Sequence, residues 1–455
     1  MFETVKHIHC IGIGGIGVSA IAEILAKQGY TVSGSDLSEN TNTQRLAQLG
    51  VKIFLGHDAK HVGDADLIVY SSAVSKDNPE FVEAQRKNLP LLKRGEWLAK
   101  LMKNKKVIAI TGSHGKTTTT SILAEVFLKA KLDPTIASGG VLAVLNSPAR
   151  FGLGDYFIAE GDESDGSFLY IDPLFAIVTS MDPDHLENYH DSFVELQSTF
   201  IQFLNKIPSQ GCAIMFADDP HVAEILPKLR CNYVTYGFGE KADYRITRFE
   251  QMEWATHITV AHKKEIHKIS FNLPGKHNAL NALAAWIVAN LAGVKAHFIQ
   301  DALNHFHGVA RRFQYHGEIK NIDVKLLEDY GHHPKEILET IKAVRELWPN
   351  KKIQMIFQPH RYTRTKALFD DFVTVLQQVD KLYLIDIYEA SEKPNGMTTK
   401  ILADAINKAG FSQAEYVADR SSLSKKLNAE LNSNDVLVLQ GAGDVGYMRK
   451  LFACH

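Results

Sequence analysis

Short apolar runs recur along the chain, and most are followed by a stretch with apolar positions at helical spacing. KHIHCIGI (residues 6–13) reads as a strand and IGVSAIAEILAKQG (16–29) as a helix closed by Gly29. YTVSGSD, the short helix NTQRLAQLG and ADLIVYSSA continue the alternation up to residue 73. Strand and helix in strict alternation predict a parallel, doubly wound sheet. The basic step WLAKLMKNKK then breaks the pattern, so a first domain is expected over residues 1–104.

The alternation resumes with KVIAITG, DYFIAEGD, LFAIVTSMD and GCAIMFADD as strands. A longer polar-apolar stretch, 243–275, reads as more antiparallel, and HNALNALAAWIVANLAG as a helix. A second domain is therefore expected over 105–311. The third, 312–455, reads as strands around IKNIDVKLLEDYG, helix KEILETIKAVRELW, strand KIQMIFQP, helix RTKALFDDFVTVLQQV, strand KLYLIDIY and closing strand DVLVLQGAG. The expected fold class is α/β in three domains, the outer two Rossmann-like and the central one α/β with some antiparallel strands.

Composition narrows the class. A chain of 455 residues exceeds one ordinary core. With 45% hydrophobic and 22% charged residues and a net charge of −2, it reads as a globular protein with no nucleic-acid or membrane-surface signature. No apolar run is long enough to span a bilayer, and MFETVKHIHC does not resemble a signal peptide. Cys10, Cys212, Cys231 and Cys454 form no C-x-x-C pair, which fits reduced thiols of a cytoplasmic protein.

The stretch VIAITGSHGKTTTT (107–120) carries the clearest chemistry. Strand, glycine turn, Lys-Thr and helix is the order a phosphate cradle requires. Gly112 and Gly115 let backbone N–H groups approach, and the helix N-terminus adds partial positive charge. Lys116 would reach the terminal phosphates and the Thr117 hydroxyl would hold Mg²⁺. A polar strand-to-helix turn capped by Ser113 or Thr117 is the plainer alternative.

A second glycine loop, GIGGIG (12–17), follows the first strand, and Asp36 ends the next. That pattern fits a dinucleotide or other phosphate ligand, with a tight turn in an α/β domain as the plainer alternative. GAGDVG (441–446) has the same spacing but no following βαβ unit, so packing and ligand contact are equally open. EGDESDGSF places Glu160, Asp162, Glu163 and Asp165 at one strand end, and TSMDPDH places His185 at the next. On a parallel sheet these ends share the edge of the Lys116 loop, where a carboxylate and an imidazole would suit Mg²⁺. Polar clusters also follow apolar stretches at PGKHNALNA, GVARRF, EDYGHHP and FQPHRYTRT.

Together, GSHGKTTTT, EGDESDGSF, PGKHNALNA, RRFQYHG, DYGHHP and FQPHRYTRT resemble the Mur ligases of bacterial cell-wall synthesis, in order and across essentially the whole chain. The resemblance implies a UDP-sugar domain, a central ATPase and a C-terminal domain that helps bind an amino acid. It implies ATP-dependent joining of L-alanine to the lactyl carboxylate of UDP-N-acetylmuramate through an acyl phosphate, in the bacterial cytoplasm, by a monomer or homodimer.

Gly14, Gly15, Ser35, Asp36, Ser71, Ser72 and Ala73 would then face the UDP-sugar. Gly112, Ser113, His114, Gly115, Lys116, Thr117, Thr118, His277, Asn278 and Arg312 would serve ATP. Thr117, Glu160 and His185 would hold Mg²⁺. Tyr330, His332, His333, Arg361 and Arg364 would lie on the amino-acid side, with Lys116, Glu160, His185, Arg361 and Arg364 catalytic. Glu328 stands where the family carries an aspartate. A recycling ligase that attaches a tripeptide to the same sugar is the nearest alternative, and an NAD-dependent oxidoreductase a more distant one.

Overall fold

A computed structural model describes residues 4–454 apart from 72, 165, 185, 320, 321, 391, 412 and 453. Ser72 and His185 of the expected site thus lie outside the described residues. The chain forms two compact units. One holds Met1–Glu250, His257–Asn272 and Asn278–His307, and the other Gln251–Thr256, Leu273–His277 and Gly308–His455.

The first unit contains two sheets. Strands β1 (His7–Ile11), β2 (Thr31–Asp36), β3 (Lys52–Leu55), β4 (Leu67–Tyr70) and β5 (Leu91–Lys93) lie in the order β3-β2-β1-β4-β5. Every pairing is parallel. The order reverses between β1 and β4, and at such a switch point the loops part and leave a crevice at the carboxyl ends of the strands. The glycine loop 12–17 emerges there. Ile8, Cys10 and Ile11 on β1 and Leu67, Ile68 and Val69 on β4 are fully buried, because helices cover both faces of a parallel sheet.

The second sheet is built on β6 (Lys106–Thr111), β7 (Thr135–Leu142), β8 (Ser147–Arg150), β9 (Tyr156–Glu160), β10 (Phe175–Val178), β11 (Cys212–Phe216), β12 (Tyr233–Gly237), β13 (Tyr244–Met252), β14 (Ala255–His262) and β15 (Glu265–Phe271). Their order is β15-β14-β13-β12-β11-β10-β6-β9-β7-β8. β6 is central and pairs in parallel with β9 and β10. Its Val107, Ile108, Ala109 and Ile110 are buried. This is why the loops after β6, β9 and β10 meet on one edge. β7 and β8, an antiparallel pair, were not expected from the sequence: Gly139 and Gly140 interrupt the apolar pattern of TIASGGVL. β13, β14 and β15 are joined by the two-residue turns Glu253–Trp254 and Lys263–Lys264, a connection that suits antiparallel neighbours.

The second unit carries β16 (Gln314–Ile319), β17 (Val324–Asp329), β18 (Lys352–Phe357), β19 (Lys381–Leu384), β20 (Ala414–Tyr416) and β21 (Asp435–Gln440), ordered β16-β17-β21-β18-β19-β20. β16 is antiparallel to β17 and the other pairings are parallel. The hairpin tip at Trp254 belongs to this unit, its ring 5.3 Å from Tyr315 and 6.0 Å from Trp348. The single helix expected over 364–379 is two, Tyr362–Ala367 and Phe369–Leu376. Leu368 leaves helical geometry between them, and Asp370 and Asp371 occupy the first turn of the second, where the helix dipole favours acids.

The glycines of GAGDVG are explained by packing. A Cβ on Gly443 would fall 2.3 Å from Gln358 Oε1, and one on Gly446 2.0 Å from Glu328 Oε1. Gln358 Oε1 accepts from Val445 N at 2.9 Å, so this turn is stitched to the end of β18.

Candidate active site

Gly112 and Gly115 both adopt left-handed backbone, with φ of +116° and +81°. The first is closed in by Thr179 and Ser180 and the second by Asn281 Oδ1, 2.4 Å from where a Cβ would stand. The helix Lys116–Lys129 starts directly after Gly115 with no side-chain cap on its first N–H groups, an arrangement open to an anion.

Lys116 Nζ donates to Gly112 O at 2.5 Å and Glu163 Oε1 at 2.6 Å. Burial alone would lower its pKa, but the charges of Glu163, Asp162 and Glu160 outweigh burial and hold it raised, so the lysine is cationic. Thr117 Oγ1 donates to Glu160 Oε2 at 3.2 Å, and Ser138 Oγ to Glu160 Oε1 at 2.7 Å. Gly139 lies so close that a Cβ would fall 2.7 Å from Glu160 Oε2. A hydroxyl and a carboxylate side by side at a phosphate loop are hard oxygen donors, and they fit Mg²⁺, which takes few protein ligands.

Ser113 and His114 are engaged within the loop's own surroundings. Asp182 N donates to Ser113 Oγ at 2.8 Å, and His114 Nε2 lies 2.7 Å from Asp182 Oδ2. Thr118 is buried. Asn278 is buried behind the loop and accepts from Asn281 Nδ2 at 3.3 Å. Glu163, Asp182 and Asn281, to which the family resemblance gives no role, are partners here.

Asp162 adds another. Its Oδ2 accepts from Arg94 Nη2 at 2.8 Å. Burial favours its protonation, but Arg94 and Lys116 override this and hold the carboxyl at about 2. A cavity of about 120 Å³ is lined by Gly17, Ile21, Arg94, Lys116, Ser138 and Glu160. The glycine-loop helix of the first sheet and the residues around Lys116 of the second thus share one space.

At the first loop, Gly12 takes φ +77° and its N–H donates to Ser35 O at 2.9 Å. Gly14 N donates to Asp36 Oδ2 at 2.8 Å, so this carboxylate braces the loop itself. Gly15 is the N-cap of Ile16–Lys27 and supplies no side-chain cap. Ser35 is fully buried, its hydroxyl on Glu80. Ser71 Oγ accepts from Ala73 N at 3.3 Å.

The second unit gathers the C-terminal cluster. The guanidinium of Arg312 lies 4.7 Å from the Tyr330 ring centre and that of Arg311 4.9 Å. Tyr330 meets His332 at 5.7 Å, His332 meets His360 at 5.3 Å, and His360 Nδ1 is 3.3 Å from Arg364 Nη1. A guanidinium only donates, so that His360 nitrogen is a bare acceptor. Burial pushes His332 down to about 4 and His360 down to about 3, so both rings are neutral at neutral pH.

His333 caps the helix Pro334–Leu347, and its backbone N–H meets Glu336 Oε2 at 3.1 Å. Arg361, at φ +71°, donates to Glu392 Oε1 at 2.6 Å. His277 lies 3.9 Å from Glu339, and burial lowers its pKa. Glu328, where the family carries an aspartate, is engaged inside the unit. It is buried, bound by Arg311 Nε at 2.7 Å and His316 Nε2 at 2.9 Å.

A glycine-framed helix start with a cationic lysine and paired oxygen donors, at the edge of one sheet in a three-domain α/β chain, suits an enzyme that handles nucleotide phosphates. The chain belongs to the Mur ligase family. It matches the Mur ligase family catalytic domain over residues 7–106, the Mur ligase middle domain over 110–289 and the Mur ligase glutamate ligase domain over 311–443. Members of this family are ATP-dependent amide ligases, and the chain is accordingly a ligase of peptidoglycan synthesis.

Among solved structures, the UDP-N-acetylmuramate-alanine ligase MurC of Thermotoga maritima is 30% identical, with a TM-score of 0.85 over 98% of this chain and 97% of that one. The murein peptide ligase Mpl of Psychrobacter arcticus shares the fold at 23% identity and a TM-score of 0.72, with 98% of each chain covered. MurF of Thermotoga maritima, solved with ADP, shares it at 18% identity and 0.62, over 92% and 93%. Among the described residues, no helix is long and apolar enough to cross a membrane.

Proposed function

We propose that the chain joins L-alanine to the lactyl carboxylate of UDP-N-acetylmuramate, with ATP converted to ADP and phosphate. The observation that carries this reading is Lys116, held cationic between Gly112 O and Glu163 at the head of an uncapped helix. Similarity to an alanine-adding ligase over nearly the full length supports the choice of amino acid.

A carboxylate is a poor acyl donor because its leaving group would be oxide. A lactyl carboxylate oxygen attacks the γ-phosphorus, the bond to the β-phosphate oxygen breaks, and ADP leaves. The amine of L-alanine then attacks the acyl phosphate carbonyl, phosphate leaves with the bonding pair, and the amine gives up a proton. Lys116 neutralises charge on the γ-phosphate, and the N–H groups after Gly115 receive the phosphate oxygens. Thr117, Glu160 and His185 would hold Mg²⁺, which supplies further neutralisation of phosphate charge. The loop at Gly14 and Gly15, with Asp36 and the Ser71–Ala73 turn, takes the UDP portion. His277, Asn278 and Arg312 contact ATP, and Tyr330, His332, His333, Arg361 and Arg364 serve the amino acid and the reacting groups. The three domains divide as residues 1–104, 105–311 and 312–455.

The test is ADP release with ATP, Mg²⁺ and UDP-N-acetylmuramate, with L-alanine, with the tripeptide L-alanyl-γ-D-glutamyl-meso-diaminopimelate, or with neither. Turnover with alanine that disappears in Lys116→Ala is the expected result. Turnover with tripeptide alone would assign the recycling reaction instead.

A further inference from the structure

The N-terminal domain buries a carboxylate that the reaction does not call for. Glu80 has no exposed surface, yet sits among three histidines. Its Oε2 accepts from Ser35 Oγ at 2.5 Å and His9 Nε2 at 3.2 Å. Its Oε1 accepts from His61 Nδ1 at 3.0 Å and Asp58 N at 3.2 Å. A carboxylate offers about four lone-pair sites, and here each has a donor. Burial alone would raise this carboxyl, but the hydrogen bonds from His9, Ser35 and His61 outweigh it and hold Glu80 at about 2.

The donors come from different parts of the domain: His9 from β1, Ser35 from the carboxyl end of β2, Asp58 from the segment after β3, and His61 from the turn that follows it. Glu80 itself is fixed in the first turn of the helix Pro79–Arg86, where Asn78 Oδ1 accepts from its N–H at 2.9 Å. Because an ionised carboxylate only accepts, the Ser35 proton must point at Glu80. The Ser35 oxygen is then an acceptor for His57 Nδ1, 3.0 Å away.

Ser35 is also where the glycine loop is anchored. Its carbonyl accepts from both Gly12 N at 2.9 Å and Ile13 N at 3.0 Å. The chain of contacts therefore runs from Glu80 through the Ser35 side chain to the Ser35 carbonyl and into the loop.

We propose that Glu80 is a positioning residue for nucleotide binding: it fixes Ser35, and through Ser35 the Gly12–Gly15 backbone that receives the diphosphate of the UDP-sugar. This rests on the reading of that loop as the UDP site. Substrate never meets Glu80. Its influence reaches binding of the uridine nucleotide and leaves ATP, held on the neighbouring sheet, untouched.

Glu80→Gln keeps the size but turns one acceptor oxygen into an NH₂ donor that faces other donors. Ser35→Ala cuts only the link between Glu80 and the loop strand. Two readouts are taken on the full chain: amide hydrogen exchange at Gly12 and Ile13, with Val69 on β4 as reference, and calorimetric binding of UDP and of ATP. Glu80→Gln is expected to speed exchange at Gly12 and Ile13 about tenfold relative to Val69 and to weaken UDP about tenfold, with ATP affinity unchanged. Ser35→Ala follows in the same direction by a smaller factor.

Exchange that rises equally at Val69 would make Glu80 merely structural and overturn the proposal. So would unchanged protection of Gly12 and Ile13 in both variants. If Glu80→Gln does not fold, Ser35→Ala alone decides by the same criteria. Selective loosening of the loop in a chain whose parent binds no UDP would leave the positioning intact and remove the nucleotide reading.

Discussion

Arg94 Nη2 and Asp162 Oδ2, 2.8 Å apart, tie the helix that follows the first sheet to the loop that follows β9 of the second. Their side chains are 24% and 34% exposed, so the pair contributes little to stability, in the range of about 0–1 kcal/mol. Its place matters more, because Arg94 shares a cavity with Lys116 and Glu160. Arg94→Ala is expected to raise KM for the UDP-sugar about tenfold, the cost of about one charge-assisted hydrogen bond, with the melting temperature nearly unchanged. Steady-state kinetics beside a thermal melt check both parts.

Lys116→Ala removes the cation that, in the proposed reaction, faces the transferred phosphoryl group. Loss of one such contact costs on the order of 10²–10³ in kcat. It also leaves the buried Glu163 without its charge partner, so the variant melts lower. Adding Glu163→Gln in that background should recover the melting temperature and none of the activity. Calorimetry and ADP release on the single and double variants separate the two roles.

His332 and His360 are expected not to titrate between pH 5 and 8, because burial holds them at about 4 and about 3. The unfolded chain takes up these protons near the ordinary histidine value of about 6.5. Their contribution to stability is therefore present above about pH 6.5 and is lost as pH falls toward 4 and then 3. Imidazole resonances followed by NMR should stay fixed down to pH 5. Denaturant melts should show stability falling on the acid side, with a shallower slope in His360→Gln.

Gly443→Ala tests whether GAGDVG is a packed turn. The added methyl would meet Gln358 Oε1 at 2.3 Å. Overpacking of this kind costs about 1–3 kcal/mol. The expected result is a lower denaturation midpoint and unchanged affinity for UDP and ATP.

The strands that carry the site are legible because each is an apolar run that breaks off into polar residues or glycine. What a run of sequence does not carry is which distant polar residue closes each contact. Asp182 on His114, Asn281 against Gly115, Glu163 on Lys116 and Glu392 on Arg361 are such pairings, each made by the way strand ends converge in space. The resemblance places Ser35 toward the UDP-sugar but carries no sign of Glu80, on which its hydroxyl sits. β7 and β8 are not legible for a different reason: Gly139 and Gly140 look like a loop, whereas they sit in a strand where a Cβ would crowd Glu160 and Thr117.

The place of β21 between β17 and β18 bears on how the protein is made. Residues 324–329 and 352–357 leave the ribosome well before residues 435–440. Until then the two strands have no neighbour between them, and each offers a bare edge. The N-terminal and central domains can complete their sheets during synthesis, whereas the C-terminal one closes only when β21 arrives. A chain cut short before residue 435 would retain both glycine loops and present open strand edges, a form suited to capture by chaperones or proteases.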